Sequence, residues 1–394
     1  MFTELRGTDV WCQSIHVYRP LLKPASPRTL QARRYGPSGV VCDVMTCDKI
    51  RSREIHRGPD FAGRVANRVG ARHCVGDSYS HLFSMAPLDA PRGADGLARV
   101  KFLLAHLSDP HVGPMPRPRR RELIGKRVTG YLNWTRSRSR IHDMAVLEQI
   151  VTDMKTHYPS HVAMTGDISN IGLPAEFQLA RNWLETLGAP EDVSFVPGNH
   201  DAYVRGSLPY LARTFAPWTT GEASAGEGFP YLRIRGEVAL VGLSSGVPTP
   251  LFIAAGYLGH RQLQAAERLL VETGRRGLVR VVMLHHPPHT AASQLGRGLV
   301  DAGGLAALIR RAGAELIVHG HNHRLSLARM DGPKGVVPVV GVPSASAIRG
   351  TPHQPAGYHL FEISGSGTDC KIAARARGLL PGTAAVGDLG PLVP

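Results

Sequence analysis

The 394-residue chain carries 46 Lys and Arg against 31 Asp and Glu, a net charge of +15, with 43% hydrophobic residues and only five cysteines. It is long enough to bury a full core without staples, its cysteines show no CxxC or zinc-finger spacing, and no run approaches the roughly 18 to 20 apolar residues of a membrane span. A disulfide-stapled mini-domain and a helical membrane protein are thereby excluded, and a reduced, cytoplasmic setting is expected, with peripheral contact at the inner membrane face as the variant. The charge is uneven. Residues 113–140 hold nine Lys or Arg against Glu122 alone, and residues 1–98 hold fourteen basic and nine acidic side chains, so the rest is nearly neutral.

Residues 1–98 show neither helical nor strand period. They are expected to be a disordered extension or a mis-annotated start, with Met85 as a plausible later one. From Val100 apolar runs of strand length alternate with amphipathic segments of helix length. VKFLLAHLSD reads as a buried strand, and DMAVLEQIVTDMKTHY as a helix with Met144, Leu147, Ile150, Val151 and Met154 on one face. Next come a strand at HVAMTGD, a helix opened by Pro174 and ended at Gly188, and a strand running into the loop VPGNHD. Two strands are expected around Gly236, then a helix at RQLQAAERLLVETG, a strand at VRVVMLHHPP, a helix at GGLAALIRRAGA and a strand at ELIVHGHNH. Strands at VVPVVGV and YHLFEIS follow, and residues 378–394 are expected to be a flexible tail. This alternation predicts an α/β domain over 99–377 with mixed sheets.

Five strand exits carry residue types that bind metals: Asp109 and His111 in SDPH, Asp167 in TGD, Asn199 to Asp201 in GNHD, His285 and His286 in LHHPPH, and three histidines in HGHNH. Ligands of α/β sheets collect at the carboxyl ends of strands, so this coincidence points to one site. A turn or helix cap explains any single block as well, but not all five in this order.

The series DPH, GD, GNHD, HH, GHNH resembles the pattern D-x-H, G-D, G-N-H-[D/E], H, G-H-x-H of the calcineurin-like metallophosphoesterases, in a bacterial branch that includes class III cyclic nucleotide phosphodiesterases. The resemblance implies a four-layer α/β/β/α sandwich with two mixed β-sheets. Carried over position by position, it implies one metal on Asp109, His111, Asp167 and His323, and a second on Asn199, His285, His321 and the bridging Asp167. Two divalent ions, Mn, Fe or Zn, would share a hydroxide that attacks a phosphate-ester substrate in line. By the same resemblance His200 would stabilise the transition state or protonate the leaving oxygen, with Asp201 orienting it. His319 is expected outside the ligand shell, and His286 supports the site or contacts substrate.

Two enzymatic readings follow: a phosphodiesterase for nucleotide-type or small diesters, or a pyrophosphohydrolase of a nucleotide-lipid such as UDP-diacylglucosamine. A non-catalytic scaffold is a third, disfavoured because no ligand is missing. The basic segment 113–140 can be a solvated loop, a cationic lid over phosphates, or an interfacial element on anionic lipid with Trp134 and Tyr131 at the headgroups. Nucleic acid is not expected as a partner, since the charge lacks aromatic interleaving over a broad platform. Oligomeric state has no readable signal.

Overall fold

The computed structural model describes residues 102–393 apart from 225–227, 290–295 and 352, so the expectations for residues 1–98 lie outside the described residues. In chain order the first half comprises β1 (Phe102–Leu107), α1 (Lys126–Arg136), α2 (Met144–Thr156), β2 (His161–Met164), α3 (Pro174–Glu185), β3 (Val193–Phe195) and α4 (Leu208–Phe215). The second half comprises β4 (Ala223–Ser224), β5 (Tyr231–Arg235), β6 (Val238–Gly242), α5 (His260–Arg275), β7 (Val279–Met283), α6 (Ala302–Ala312) and β8 (Leu316–His319). It closes with β9 (Ser326–Gly332), β10 (Gly335–Gly341), β11 (Gly357–Ser364), β12 (Lys371–Leu379) and β13 (Val386–Leu392).

These strands form two mixed sheets, ordered β13-β12-β11-β1-β2-β3 and β4-β5-β6-β7-β8-β10-β9. Alternating side chains divide the core into three. Leu104, Val281, Val318 and Phe361 pack between the sheets. Ala105, Leu107 and Val162 face α2 and α3 on one outer side, and Val282 and Ile317 face α5 and α6 on the other. Helix, sheet, sheet and helix therefore stack as four layers. Within them β1-β2-β3 and β6-β7-β8 run parallel, which brings the exits of five motif-bearing strands to one end of the sandwich.

One expectation is corrected. Residues 378–394 are not a free tail: β12 runs to Leu379, and β13 returns antiparallel to close the sheet edge. The strand was illegible because its inward positions are small. Ala374 and Ala376 bury only a methyl each, with Leu392 from β13 between the sheets, so the alternation has little hydrophobic contrast.

The basic segment forms a helix after all. In α1, Trp134 is buried, while Met115, Leu123 and Tyr131 pack on Ile171, Leu173 and Tyr203. Gly125 caps the helix with φ of +62°, a backbone that favours glycine. A Cβ on Gly130 would meet the Tyr203 hydroxyl and lie 2.7 Å from Ile171 Cγ2, so glycine is what allows α1 to lie this close.

Candidate metal centre

Seven donors converge at the strand exits. Among the described residues seven non-glycine residues have positive φ, and five of them are Asp109, His111, Asp167, His321 and His323. Such backbone is uncommon and costs of order 1 kcal/mol or more per residue, so its concentration on the predicted ligands marks a site held by its surroundings. The holding bonds are specific. Asp109 and His111 donate their amides to the carbonyls of Gly166 and Asp167 at 3.0 and 3.1 Å, and Gly320 donates to His285 at 3.0 Å.

The donors fall into two groups. His323 Nε2 lies 3.3 Å from His111 Nε2 and 3.0 Å from Asp109 Oδ1. His285 Nε2 lies 3.2 Å from both Asp167 Oδ2 and His321 Nδ1. The Asp109 and Asp167 carboxylates and His285 also lie within reach of one ion. Asn199 sits at the end of β3, 4% exposed, with its Oδ1 buried and unpartnered. His111 and His285 give their Nδ1 protons to the carbonyls of Ser169, at 3.3 Å, and Thr165, at 2.6 Å. That leaves Nε2 as a lone-pair donor in each.

These residues fit divalent cations. Two pairs of imidazole nitrogens face one another at 3.3 and 3.2 Å, Asp109 Oδ1 makes no hydrogen bond despite its closeness to His323, and His321 Nε2 is likewise unpartnered. Two buried carboxylates that have no Lys or Arg ion pair among the described residues demand positive charge from elsewhere. Without metal, burial disfavours the His285 imidazolium, yet Asp167 and Asp109 outweigh burial and lift its pKa to about 9. His111 and His321 are held neutral by burial, as ligands must be. An N/O set without Cys suits Mn, Fe, Co or Zn.

Three neighbouring residues have other tasks. His286 is grouped near His285 and His321, but its Nδ1 meets Ser245 Oγ at 2.8 Å and its Nε2 meets the Ala254 carbonyl at 3.2 Å. With both nitrogens engaged it orients the Ser245 hydroxyl, which in turn accepts the His285 and His286 amides at 3.3 and 3.1 Å. His319 faces the Gly320 carbonyl and Ser326 Oγ, and the His289 ring lies 5.7 Å from that of His319, tilted by 57°, rather than entering the cluster.

The expected pairing of Asp201 with the His200 imidazole is corrected. The Asp201 carboxylate accepts the amides of Asp167, Ser169 and Gly198 at 2.8, 2.9 and 2.9 Å, and the Ser169 hydroxyl at 3.0 Å. It ties the GD loop to the GNHD loop because the turn after Gly198 folds its side chain back onto those amides. Burial, with Asp167 beside it, raises its pKa to about 7. His200 is oriented instead by the Asn170 carbonyl, 2.5 Å from Nδ1, and by Arg138. Its own amide donates to Asp167 Oδ1 at 2.7 Å.

A cavity of about 440 Å³ opens beside Asn199 and His200, walled by α1 through Lys126, Thr129 and Asn133, and by Tyr203 and Phe252. Lys126 holds that wall together: its Nζ donates to Thr249 Oγ1 at 2.7 Å and to the Ile253 carbonyl at 3.1 Å, and it lies over the Tyr203 ring. Sequence reading did not single out Arg138, His142 or this cavity: Arg138 lies in the insert, His142 just after it, and the cavity between α1 and distant loops, and neither residue belongs to a ligand block.

The chain also resembles known proteins. A family model described as calcineurin-like phosphoesterase matches residues 102–325. A probable cyclic nucleotide phosphodiesterase of a Synechococcus strain is 27% identical over 228 residues, covering 55% of this chain and 76% of that protein. A glycerophosphodiester phosphodiesterase of Enterobacter lignolyticus is 28% identical over 180 residues, covering 43% of this chain and 58% of that protein. Among solved structures, a dimetal phosphatase from Danio rerio is 13% identical, with a TM-score of 0.49 over 73% of this chain and 98% of that one.

Proposed function

Because the chain belongs to the calcineurin-like phosphoesterase family and is a metal-dependent phosphoester hydrolase, we propose that it hydrolyses phosphodiesters of nucleotide type or of similar size. The observation that supports this most is the convergence of all seven donors from both sheets beside a cavity able to take an organic group. Asp109, His111, Asp167 and His323 would hold one ion, and Asp167, Asn199, His285 and His321 the other. Divalent ions bound there supply the charge that acidifies water and neutralises phosphoryl oxygens.

The chain's own residues do the rest. His200 borders the cavity and would stand beside the leaving oxygen, with Asn170 setting its tautomer and Arg138 at its Nε2. Asp201 acts as a positioning residue, holding the two ligand loops in register. Tyr203, Asn133 and Phe252 bound the space for the alcohol that departs. Metal analysis with turnover of bis-p-nitrophenyl phosphate tests the reading: two bound metals with no Mn-stimulated hydrolysis would favour a scaffold. A panel of cyclic nucleotides, dinucleotides, glycerophosphodiesters and UDP-sugar lipids then assigns the substrate.

A second reading, a pyrophosphohydrolase of a nucleotide-lipid at the membrane surface, has its own support. Ile124, Val128 and Leu132 are exposed at helical spacing on the insert, Phe252 is 89% exposed on the cavity rim, and Arg residues flank them. That combination suits an anionic lipid surface. Co-sedimentation with anionic vesicles checks it, and binding that is absent or insensitive to salt would remove it. No described helix is long and apolar enough to cross a membrane.

A further inference from the structure

The basic insert ends by turning into the metal centre, and two side chains there lie outside the seven-residue ligand set, although His142 is near enough to His111 and His323 to share an ion with them. Arg138 is half-buried, with one terminal nitrogen 2.7 Å from Nε2 and 3.1 Å from Nδ1 of His200. Since His200 Nδ1 donates to Asn170, its Nε2 accepts and the guanidinium donates. Among the described residues no carboxylate pairs with Arg138, so most of its five N–H groups remain available. Four residues on, His142 is 7% exposed. Its Nδ1 meets Ser346 Oγ at 2.8 Å, while its Nε2 is buried without a partner. The His142 ring is centred 4.4 Å from that of His111 and 5.6 Å from that of His323, and the His111 ring lies 5.0 Å from that of His200.

Arg138 and His142 therefore border the same edge of the centre. A buried imidazole nitrogen with no partner is costly, and in the tautomer whose Nδ1 accepts the Ser346 hydroxyl proton, Nε2 carries an N–H that lacks an acceptor. A guanidinium without a carboxylate is the group best shaped to take two oxygens of a phosphate. We propose that Arg138 and His142 form a phosphoryl clamp: they bind non-bridging oxygens of the substrate's phosphate on the His111–His200 side of the metal centre. The insert is then part of the substrate site rather than a cover for the sheet edge. This rests on the hydrolase reading above and adds to it the residues that grip the anion.

Binding of inorganic phosphate to the Mn-loaded full chain, followed by calorimetry, tests the clamp without turnover. Arg138→Met is expected to weaken phosphate roughly tenfold or more, and Arg138→Lys to retain part of the affinity. His142→Phe should weaken it several-fold, with metal content unchanged in all three. The loss in Arg138→Met should persist in a His200→Ala background, which separates gripping the phosphate from positioning His200. Unchanged phosphate affinity in both single variants, or an Arg138 effect that vanishes without His200, would overturn the clamp. Loss of metal in His142→Phe would make that histidine a ligand instead and remove it from the clamp. If Arg138→Met does not fold by urea titration, the lysine variant decides. Turnover of bis-p-nitrophenyl phosphate by the wild type, and its loss in His321→Ala, tests the hydrolase reading separately, so either idea can fail alone.

Discussion

Within HGHNH the three imidazoles differ in what their nitrogens already touch. His321 Nδ1 and His323 Nε2 lie 3.2 and 3.3 Å from other imidazole nitrogens, an arrangement that a cation resolves, whereas His319 is satisfied by Gly320 and Ser326. His321→Gln and His323→Gln should each lower kcat/KM by about 100-fold or more and reduce bound metal, while His319→Gln should cost less than about tenfold. Metal stoichiometry alongside kinetics checks this, and equal losses at all three positions would contradict it. The ligand types were legible in sequence because strand-end motifs keep chemistry and position together. His286 was ambiguous there, since a doublet does not say which ring has its nitrogens engaged. Arg138 and His142 were silent because their partners, His200, Ser346 and His111, lie far away in the chain or carry no local signature.

At the scale of elements, strands and helices with strong contrast were readable and those with weak contrast were not. The helix α2 announced itself through Leu147, Ile150, Val151 and Met154, all buried as expected. The strand β9 was missed, as were β12 and β13, where alanine and glycine occupy the inward positions. In α1 a glycine, a poor helix former, is the residue that seats the helix. Gly130→Ala would favour an isolated helix by about 1 kcal/mol, yet here the added methyl meets Tyr203 and Ile171. It should therefore lower the urea midpoint and raise KM, because α1 and Tyr203 wall the cavity; a stabilised variant with unchanged KM would show that α1 is not seated this way. A pH effect belongs to the sheet. His161 on β2 is fully buried, hydrogen-bonded at 2.8 Å to Ser194 Oγ. Burial first, then Arg233 and Arg235 on β5, lower its pKa to about 3. The folded state holds this histidine neutral while the unfolded chain protonates it near 6.5, so its contribution is complete above about pH 6.5 and is lost as pH falls toward 3. The slope reaches about 1.4 kcal/mol per pH unit at most. Urea titrations at pH 7, 6, 5 and 4 should give a flatter profile for His161→Gln than for the wild type, and parallel profiles would argue against the effect.

For the molecule as a whole, the metal centre is also the joint between the two sheets. Asp109, His111, Asp167 and Asn199 follow strands of one sheet, and His285, His321 and His323 follow strands of the other. The ligand loops already touch across that joint, through the His321 amide donating to Asp109 Oδ2 at 3.0 Å and the His285 Nδ1 proton to Thr165. Ions shared between the two sets bind only the assembled sandwich, so by mass action they stabilise the fold by about 2.7 kcal/mol at a hundredfold excess over Kd. For a domain of about 290 residues, with an unfolding entropy of about 0.6 kcal/mol/K, that corresponds to a rise in Tm of roughly 4 to 5 °C per bound ion. Chelation followed by Mn addition should therefore lower and restore Tm reversibly. The bridging position proposed for Asp167 makes a sharper demand. Asp167→Asn keeps the shape but removes a charge that both ions would need, so its Tm should respond little to Mn, whereas His319→Gln, outside the proposed ligand set, should keep the full response. A metal response that survives in Asp167→Asn at wild-type size would mean that the ions do not meet on that carboxylate, and that the sheets are joined by protein contacts alone.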